Sequence, residues 1–488
     1  MASDNSYKSI LKGTSIFGGV QVFQILINLI RGKFVAVLLG PDGMGVASLF
    51  TTSSNTIQKF ASLGLNLAIV REMAESSRDK EAAARFIGLC LRILAATSLL
   101  GALICIVFAY PLSLLTFETP DMAWQFVLLG IAVAFGIANT GILSILQGLH
   151  EVKQLSKASI VGGLTGLLVG VPLYWLYGTD GIVPAMVALS LAMFVFYCLS
   201  LRQAAVITPV KSFSKQHMPM IKQMIGLGMI LMASDLIGTS ATYCINLFIS
   251  HIGSDYELGL YQAANSTTAQ YSGMVFTAMA MDYFPRLTKA AHDNRLMLGI
   301  VNRQCEIVAL IIAPAACLLI ITAPIVIQVL FTEEYDSILP LMRWMGLGIT
   351  LRALIMPMGY ITFAKDNKKV FFGLEGVFGN LLTLVLSCIG YYFFGLIGLG
   401  YALVADNAVC LIVYYIVNRR LYGYRLTRES AGGMAMAVAI TGACFVFSLL
   451  PELIWAYSIM AIIFTASMTW SVLRLRRKLK KPDSGEAA

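Results

Sequence analysis

The stretch Leu39-Gly40-Pro41-Asp42-Gly43-Met44-Gly45-Val46-Ala47-Ser48-Leu49-Phe50 decides how this chain is read, together with the run that follows it, Thr51, Thr52, Ser53, Ser54, Asn55, Thr56, Ile57, Gln58 and Lys59. A glycine-rich turn leads into an apolar segment whose middle is crowded with hydroxyls and amides. The pattern returns as Ile252-Gly253-Ser254-Asp255, then Gly259-Leu260-Tyr261-Gln262-Ala263-Ala264-Asn265-Ser266-Thr267-Thr268. A turn and a polar run repeated at this separation mark an internal duplication. Polar side chains are costly in hydrocarbon unless they face a cavity or a partner. The matched runs therefore predict one shared polar cleft, to which Ser53, Asn55 and Lys59 contribute from the first half and Asn265, Thr268 and Tyr271 from the second. Taken singly, each hydroxyl is as well explained by helix packing or by a bond to its own backbone, and only the symmetry favours the cleft.

The composition sets the solvent. The chain is 58% hydrophobic and 12% charged over 488 residues, with a mean hydropathy of +0.78, against roughly 45–50% and 25% for a soluble domain. The expected fold class is an all-α integral membrane protein of about fourteen helices, each apolar stretch being long enough to cross a ~30 Å hydrocarbon layer. The expected layout is an N-terminal lobe of six helices over 1–205, a linker over 206–218, a C-terminal lobe of six helices over 219–421, an extra helix pair over 422–473 and a basic tail over 474–488. Helix 2 is expected over about 44–70, a charged loop over 71–85, helix 3 over about 86–110 and helix 11 over about 369–394. Two further echoes support the duplication: Gly181-Ile182-Val183-Pro184 resembles Gly398-Leu399-Gly400-Tyr401, and the turn at His150 to Lys157 resembles Asp366 to Lys369. An even number of helices in each lobe makes the lobes parallel, related by a pseudo-twofold axis along the membrane normal.

Loop charges give the orientation. Alternate loops carry the Lys and Arg, among them Arg71, Arg78, Lys80, Lys153, Lys157, Lys211, Lys215, Arg286, Lys289, Lys365, Lys368, Arg419 and Arg420. The opposite loops carry Asp42, Glu118, Asp121, Asp180, Asp255, Glu333, Glu334, Asp336 and Glu452 instead. The positive-inside rule then predicts that both termini are cytoplasmic. The net charge of +9 belongs to those loops and to the tail, which points to a membrane surface and not to nucleic acid. The nine cysteines lie in apolar stretches with no Cys-x-x-Cys and read as small core hydrophobes. The apolar run after the polar first thirteen residues is too long for a secretory signal peptide, so the first helix is expected to stay.

The sequence offers no catalytic apparatus. There is no phosphate loop of the Gly-x-x-x-x-Gly-Lys-Ser/Thr kind, and His150-Glu151-Val152-Lys153-Gln154 is not a His-Glu-x-x-His zinc motif. The four histidines are scattered, so neither metal nor cofactor is expected. What stands out is charge inside helices, where an ion costs from ~2.5 kcal/mol upwards. Arg31 and Lys33 lie roughly 10–14 Å below the end of helix 1 at ~1.5 Å per residue. Arg352, Glu375 and Asp406 lie at comparable depths in the second half, where an internal ion-pair cluster and a transport site are both open readings, and Asp235 enters at helix 7. Arg31 and Lys33 are about 200° apart on one helix and cannot face the same way.

Gly32-Lys33-Phe34-Val35-Ala36-Val37-Leu38-Leu39-Gly40-Pro41-Asp42-Gly43-Met44-Gly45, Tyr283-Phe284-Pro285-Arg286-Leu287, and Ala364-Lys365 followed by Phe371 and Glu375 together resemble the polysaccharide transporters of the multidrug/oligosaccharidyl-lipid/polysaccharide (MOP) flippase superfamily. The likeness is to Wzx-type flippases for O-antigen and for the lipid III of common antigen, and it covers about residues 9–421. It implies two six-helix lobes with alternating access to a central cavity, and no enzyme activity. It implies as substrate an undecaprenyl-pyrophosphate-linked oligosaccharide moved across the bacterial cytoplasmic membrane, with membrane lipid, a polysaccharide polymerase and a chain-length regulator as partners. On that reading Arg31, Lys33 and Arg352 would serve the pyrophosphate and the polar runs the sugars, while Asp235, Glu375 and Asp406 would couple or pair. A multidrug and toxin extrusion antiporter of the same fold is the alternative, one that Lys33 and Arg31 argue against. A membrane glycan polymerase or ligase would need larger external loops.

Overall fold

The computed structural model describes residues 2–76, 79–204, 218–450 and 454–480; the linker expected over 206–218 falls almost wholly outside them. Among the described residues every regular element is helical. They fall into two compact units, Met1–Gly259 and Leu260–Ala488. The first contains α1 (Ala2–Ala61), α2 (Leu65–Ser76), α3 (Lys80–Val107), α4 (Ala109–Phe117), α5 (Ala123–Gly148), α6 (Val152–Tyr177), α7 (Ile182–Ala204) and α8 (Met218–Ile252). The boundary falls in the first turns of α9 (Asp255–Lys289), and the second unit continues with α10 (Asn294–Leu330), α11 (Leu339–Ala364), α12 (Lys368–Phe371), α13 (Asn380–Tyr422), α14 (Arg428–Ser448) and α15 (Ile454–Lys480).

Among the described residues, nine helical runs are long and apolar enough to cross a membrane, and the chain is a multi-pass membrane protein. Three of the nine are double, the runs 23–61, 153–204 and 368–422. The first turns at Gly40 (φ 67°), directly before Pro41. Glycine takes a positive φ without penalty, and proline just after it costs no hydrogen bond because the first N–H of a helix has no partner inside the helix.

The duplication is visible in backbone detail within each unit. Gly178 turns at φ 58°, ψ −132° and Gly395 at φ 60°, ψ −147°. Three residues further on, a Cβ at Gly181 would overlap the Leu173 carbonyl and one at Gly398 the Gly390 carbonyl. Both hairpins therefore close backbone to backbone at a glycine. The expected match of His150 with Asp366 has the same geometry: both are left-handed, at φ 58° and 52°. The following N–H groups turn back alike, Glu151 to Leu146 O at 3.1 Å and Asn367 to Thr362 O at 3.2 Å, which satisfies carbonyls that the helix end leaves unpaired.

Three boundaries differ from the sequence reading. The helix expected over 44–70 stops at Ala61, because Leu63 (φ 52°) and Gly64 (φ 66°) are both left-handed, and two such residues in succession end a right-handed helix. The charged stretch expected as a loop carries the second half of α2 and the start of α3, whose first turn is capped by Asp79 at 3.0 Å from Glu81 N. The helix expected over about 369–394 opens with a π-helical stretch, Phe372–Gly379, where the Asn380 amide donates to Glu375 O at 3.0 Å and Gly376 O at 2.9 Å.

The C-terminal pair is fastened to α10. Asn302 receives Thr427 N–H at 3.1 Å and donates to Arg425 O at 3.0 Å. The Ser430 hydroxyl lies 3.1 Å from Glu306 Oε1, and Ser471 donates to Leu310 O at 2.6 Å. Cys317, Ile320, Cys444, Phe445 and Met460 fill the apolar contact between them. Tyr424 is buried in the connection, and burial, followed by the neighbouring Cys305 thiol, pushes its phenol above the ordinary range.

Candidate functional site

In the first unit the polar run of α1 divides by face. Thr52 and Thr56 donate to their own helix, at 2.8 Å to Ser48 O and Thr52 O, the local bonding such residues favour. Ser53 is buried with its hydroxyl unpartnered, and Asn55 is exposed. Asn246 on α8 reaches across to Ser48 at 3.2 Å and Thr52 at 3.5 Å. Two turns on from Thr52, Lys59 pairs with Asp235 of α8, their side chains 44% and 55% exposed. Both charges stand out in the sequence; only the fold makes them partners.

Arg31 and Lys33 diverge as the helical period requires. Lys33 is exposed, on a stripe with Leu26, Ile30 and Val37, whereas Arg31 is half-buried. Arg31 lines a partly open cavity of about 260 Å³ between α1, α5, α6 and α7, with Gln24, Asn28, Asn139, Tyr174 and Ser190 supplying its other polar groups. Gln24 donates to Ser159 O at 3.0 Å and Asn139 to Ser190 O at 2.9 Å. Sequence reasoning passed over this wall, although Gln24, Asn28 and Arg31 recur at the spacing of one helix face.

In the second unit Asn265 is half-buried and Tyr271 exposed, while Thr268 donates to Ala264 O of its own helix at 2.6 Å. Deeper in the unit, buried Asp406 of α13 accepts from Thr383 at 2.9 Å and from Cys410 at 3.8 Å. Arg352 of α11 is exposed and lies within electrostatic reach of Asp406. Glu375 sits inside the π-helical stretch and faces Gly359, where a Cβ would lie 3.0 Å from its Oε1. Arg352, Glu375 and Asp406 all act on the Cys410 thiol, so the three charges that the sequence placed at similar depth share one neighbourhood.

A family model described as "Polysaccharide biosynthesis protein" matches residues 34–340, well over half of the chain. The chain belongs to that family. The lipid III flippase of Escherichia coli strain K12 is 21% identical over 370 residues, which is 74% of this chain and 87% of the flippase. The lipid III flippase of Shigella flexneri matches to the same extent. Among solved structures, the lipid II flippase MurJ in an inward closed conformation superposes with a TM-score of 0.73 at 14% identity, covering 95% of this chain and 99% of that one. An inward-facing multidrug resistance MATE family transporter of the MOP superfamily gives a TM-score of 0.69 at 18% identity, covering 82% and 94%. The chain thus has a fold shared by a lipid II flippase and a multidrug resistance transporter, and the fold alone does not choose between their substrates.

Proposed function

We propose that this protein is a flippase that moves an undecaprenyl-pyrophosphate-linked oligosaccharide from the inner to the outer leaflet of a bacterial cytoplasmic membrane by alternating access. The supporting observation is the balance of charges within the helices. Asp235 is neutralised by Lys59, and Asp406 is held by Thr383. Among the described residues Lys33 has no such partner. Acids already engaged and a cation left open suit an anionic headgroup better than the cationic drug of an antiporter.

On this reading Lys33 and Arg352 serve the pyrophosphate. The runs containing Ser53, Asn55, Asn265, Thr268 and Tyr271 meet sugar hydroxyls, and the prenyl chain stays in lipid. Asp235, Glu375 and Asp406 tune or couple the cycle. The glycan is an O-antigen, common-antigen or capsule repeat unit, handed on the outer face to a polymerase and its chain-length regulator. The lobes divide at 206–218, both termini are cytoplasmic, and the protein performs no chemistry on its substrate.

The test is translocation in proteoliposomes, read as the lectin accessibility of a lipid-linked oligosaccharide, for Lys33→Ala, Arg31→Ala and Arg352→Ala at matched protein levels. Loss in Lys33→Ala with intact folding supports the cationic site. Wild-type rates in all three variants would overturn it, and proton-driven efflux of a cationic dye by the wild type would favour the antiporter.

A further inference from the structure

Within the first unit, α4 meets α8 along a polar seam that ends at a histidine. α4 turns its apolar side outward, with Tyr110, Leu114 and Leu115 exposed, and buries its small polar residues Ser113 and Thr116 completely. Thr116 Oγ1 lies 2.6 Å from the Tyr243 hydroxyl of α8. Two turns further along α8, His251 stands over the end of α4: its Nε2 is 3.3 Å from Thr116 O, and its Nδ1 is 3.7 Å from Glu118 Oε1. Phe117 ties α4 to the helices on its other side, its ring centroid 4.9 Å from that of Phe50 on α1 and 6.3 Å from that of Phe126 on α5. A parting of these elements therefore falls at the seam, where hydrogen bonds can be exchanged for bonds to water.

We infer that His251 is a proton-binding site whose protonation latches α8 to α4, at the end of the helices that the loop charges assign to the outside. The chemistry of its two neighbours sets the sign. Thr116 O and the Glu118 carboxylate both accept, whereas a neutral imidazole carries one N–H and an imidazolium carries two. The neutral ring can serve only one of the two partners. The protonated ring serves both and adds the attraction of opposite charges. Histidine is the side chain whose ordinary titration falls between pH 5 and 8, so the seam tightens as the pH falls through that range and loosens as it rises. Among the described residues Glu118 is the one acid within ion-pair reach of the ring. The other titratable groups at this end are Asp42 of α1, Asp121 beyond α4, Tyr243 of α8, and Asp255, Tyr256 and Glu257 of α9. There is no cation among them to repel the protonated ring. The part played by the latch in transport rests on the flippase reading given above: acid on the outer face slows the parting of α8 from α4.

The experiment places spin labels at Thr119→Cys and Ile252→Cys, exposed positions on either side of the seam, in an otherwise cysteine-free full chain. In lipid nanodiscs both faces meet the same buffer, so the reading does not depend on topology. Dipolar broadening between pH 8 and pH 5.5 gives the ratio of close to separated pairs. Acidification should raise that ratio by about 1.5- to 5-fold, the scale of an exposed ion pair. His251→Gln keeps a donor for Thr116 O and loses the proton site, and should flatten the response. Glu118→Gln changes an exposed side chain and should at least halve the response; it decides the matter if His251→Gln does not fold. A wild-type ratio indifferent to pH, a seam that opens on acidification, a response surviving in His251→Gln, or one undiminished in Glu118→Gln would overturn the inference. Flipping of a lipid-linked oligosaccharide in proteoliposomes is then compared at outer pH 5.5 and 7.5 with the inner pH fixed. The rate at 5.5 relative to 7.5 should be higher in His251→Gln than in wild type, and an equal ratio would remove the latch from the transport cycle. A wild type that flips at neither pH contradicts the flippase reading, while the label separation still decides the latch.

Discussion

Replacing Gly45 with alanine tests the packing that gives the glycine-rich turn its meaning. Its Cβ would overlap the Asp255 carbonyl oxygen and lie 2.8 Å from the carbonyl carbon. The symmetry is reciprocal, since a Cβ at Gly259 would overlap the Pro41 carbonyl oxygen and lie 2.6 Å from its carbon. The glycines of the two repeated motifs thus let two backbones touch. Ordinary carbon–carbon contact is about 3.5 Å, so the segments must separate by about 0.7 Å or more. A gap of about 0.5–1 Å forfeits a quarter to a half of each dispersion contact that spans it. Leu49, Phe50 and Leu258, all fully buried next to this turn, would feel it. The expected cost is about 1–3 kcal/mol, the range for forcing extra atoms into a packed region, because the obstructing atoms are backbone and cannot rotate away. The assay is thermal unfolding in detergent against Gly32→Ala as control. Gly32 is on the same helix with nothing within 4 Å of its Cβ position, and alanine there should be neutral or stabilising by up to about 1 kcal/mol. If Gly45→Ala melts at or above the Gly32→Ala midpoint, the backbone contact is not what the glycine is for.

Further outcomes follow from the same structure. Thr383→Val removes the hydroxyl that donates to buried Asp406 at 2.9 Å and should destabilise by about 1–3 kcal/mol, with Thr383→Ser restoring the unfolding midpoint. A double-mutant cycle on Lys59→Met and Asp235→Asn should give a coupling energy of only about 0.2–1 kcal/mol, because both side chains are roughly half exposed; a value near zero would show the pair to be incidental. Ser430→Ala should loosen the C-terminal pair from α10 by about 1–3 kcal/mol, read as earlier proteolytic release of the segment after Arg425. For topology, an impermeant thiol reagent added outside should label a cysteine placed at Asp121 or Glu334 in a cysteine-free variant and spare one at Ser77 or Lys289; the reverse pattern refutes cytoplasmic termini.

The helices were legible because their signal is local. A ~20-residue apolar run reports its solvent whatever it packs against, and a glycine before a proline reports a turn. The break after Ala61 was not legible, since nothing in Ser62-Leu63-Gly64 requires a leucine to adopt φ 52°; packing of α2 against α3 and α5, in the cluster around Ile69, Met73 and Ile145, imposes it. The unequal fates of Arg31 and Lys33 were half legible: the helical period separates them, but which face meets α6 depends on neighbours far along the chain.

By itself, then, the sequence determined the solvent, the number and rough ends of the helices, the duplication and the list of charges that needed explaining. Each of these is written in composition, in periodicity or in repeated short motifs. The tertiary structure decided the partners. Lys59 meets Asp235 across 176 residues, Asp406 meets Thr383 across 23, and Gln24, Asn28 and Arg31 of α1 meet Asn139 of α5 at one cavity. A helix fixes the direction of its own side chains, but whether a direction leads to lipid, to a cavity or to an opposite charge is a property of the packed bundle.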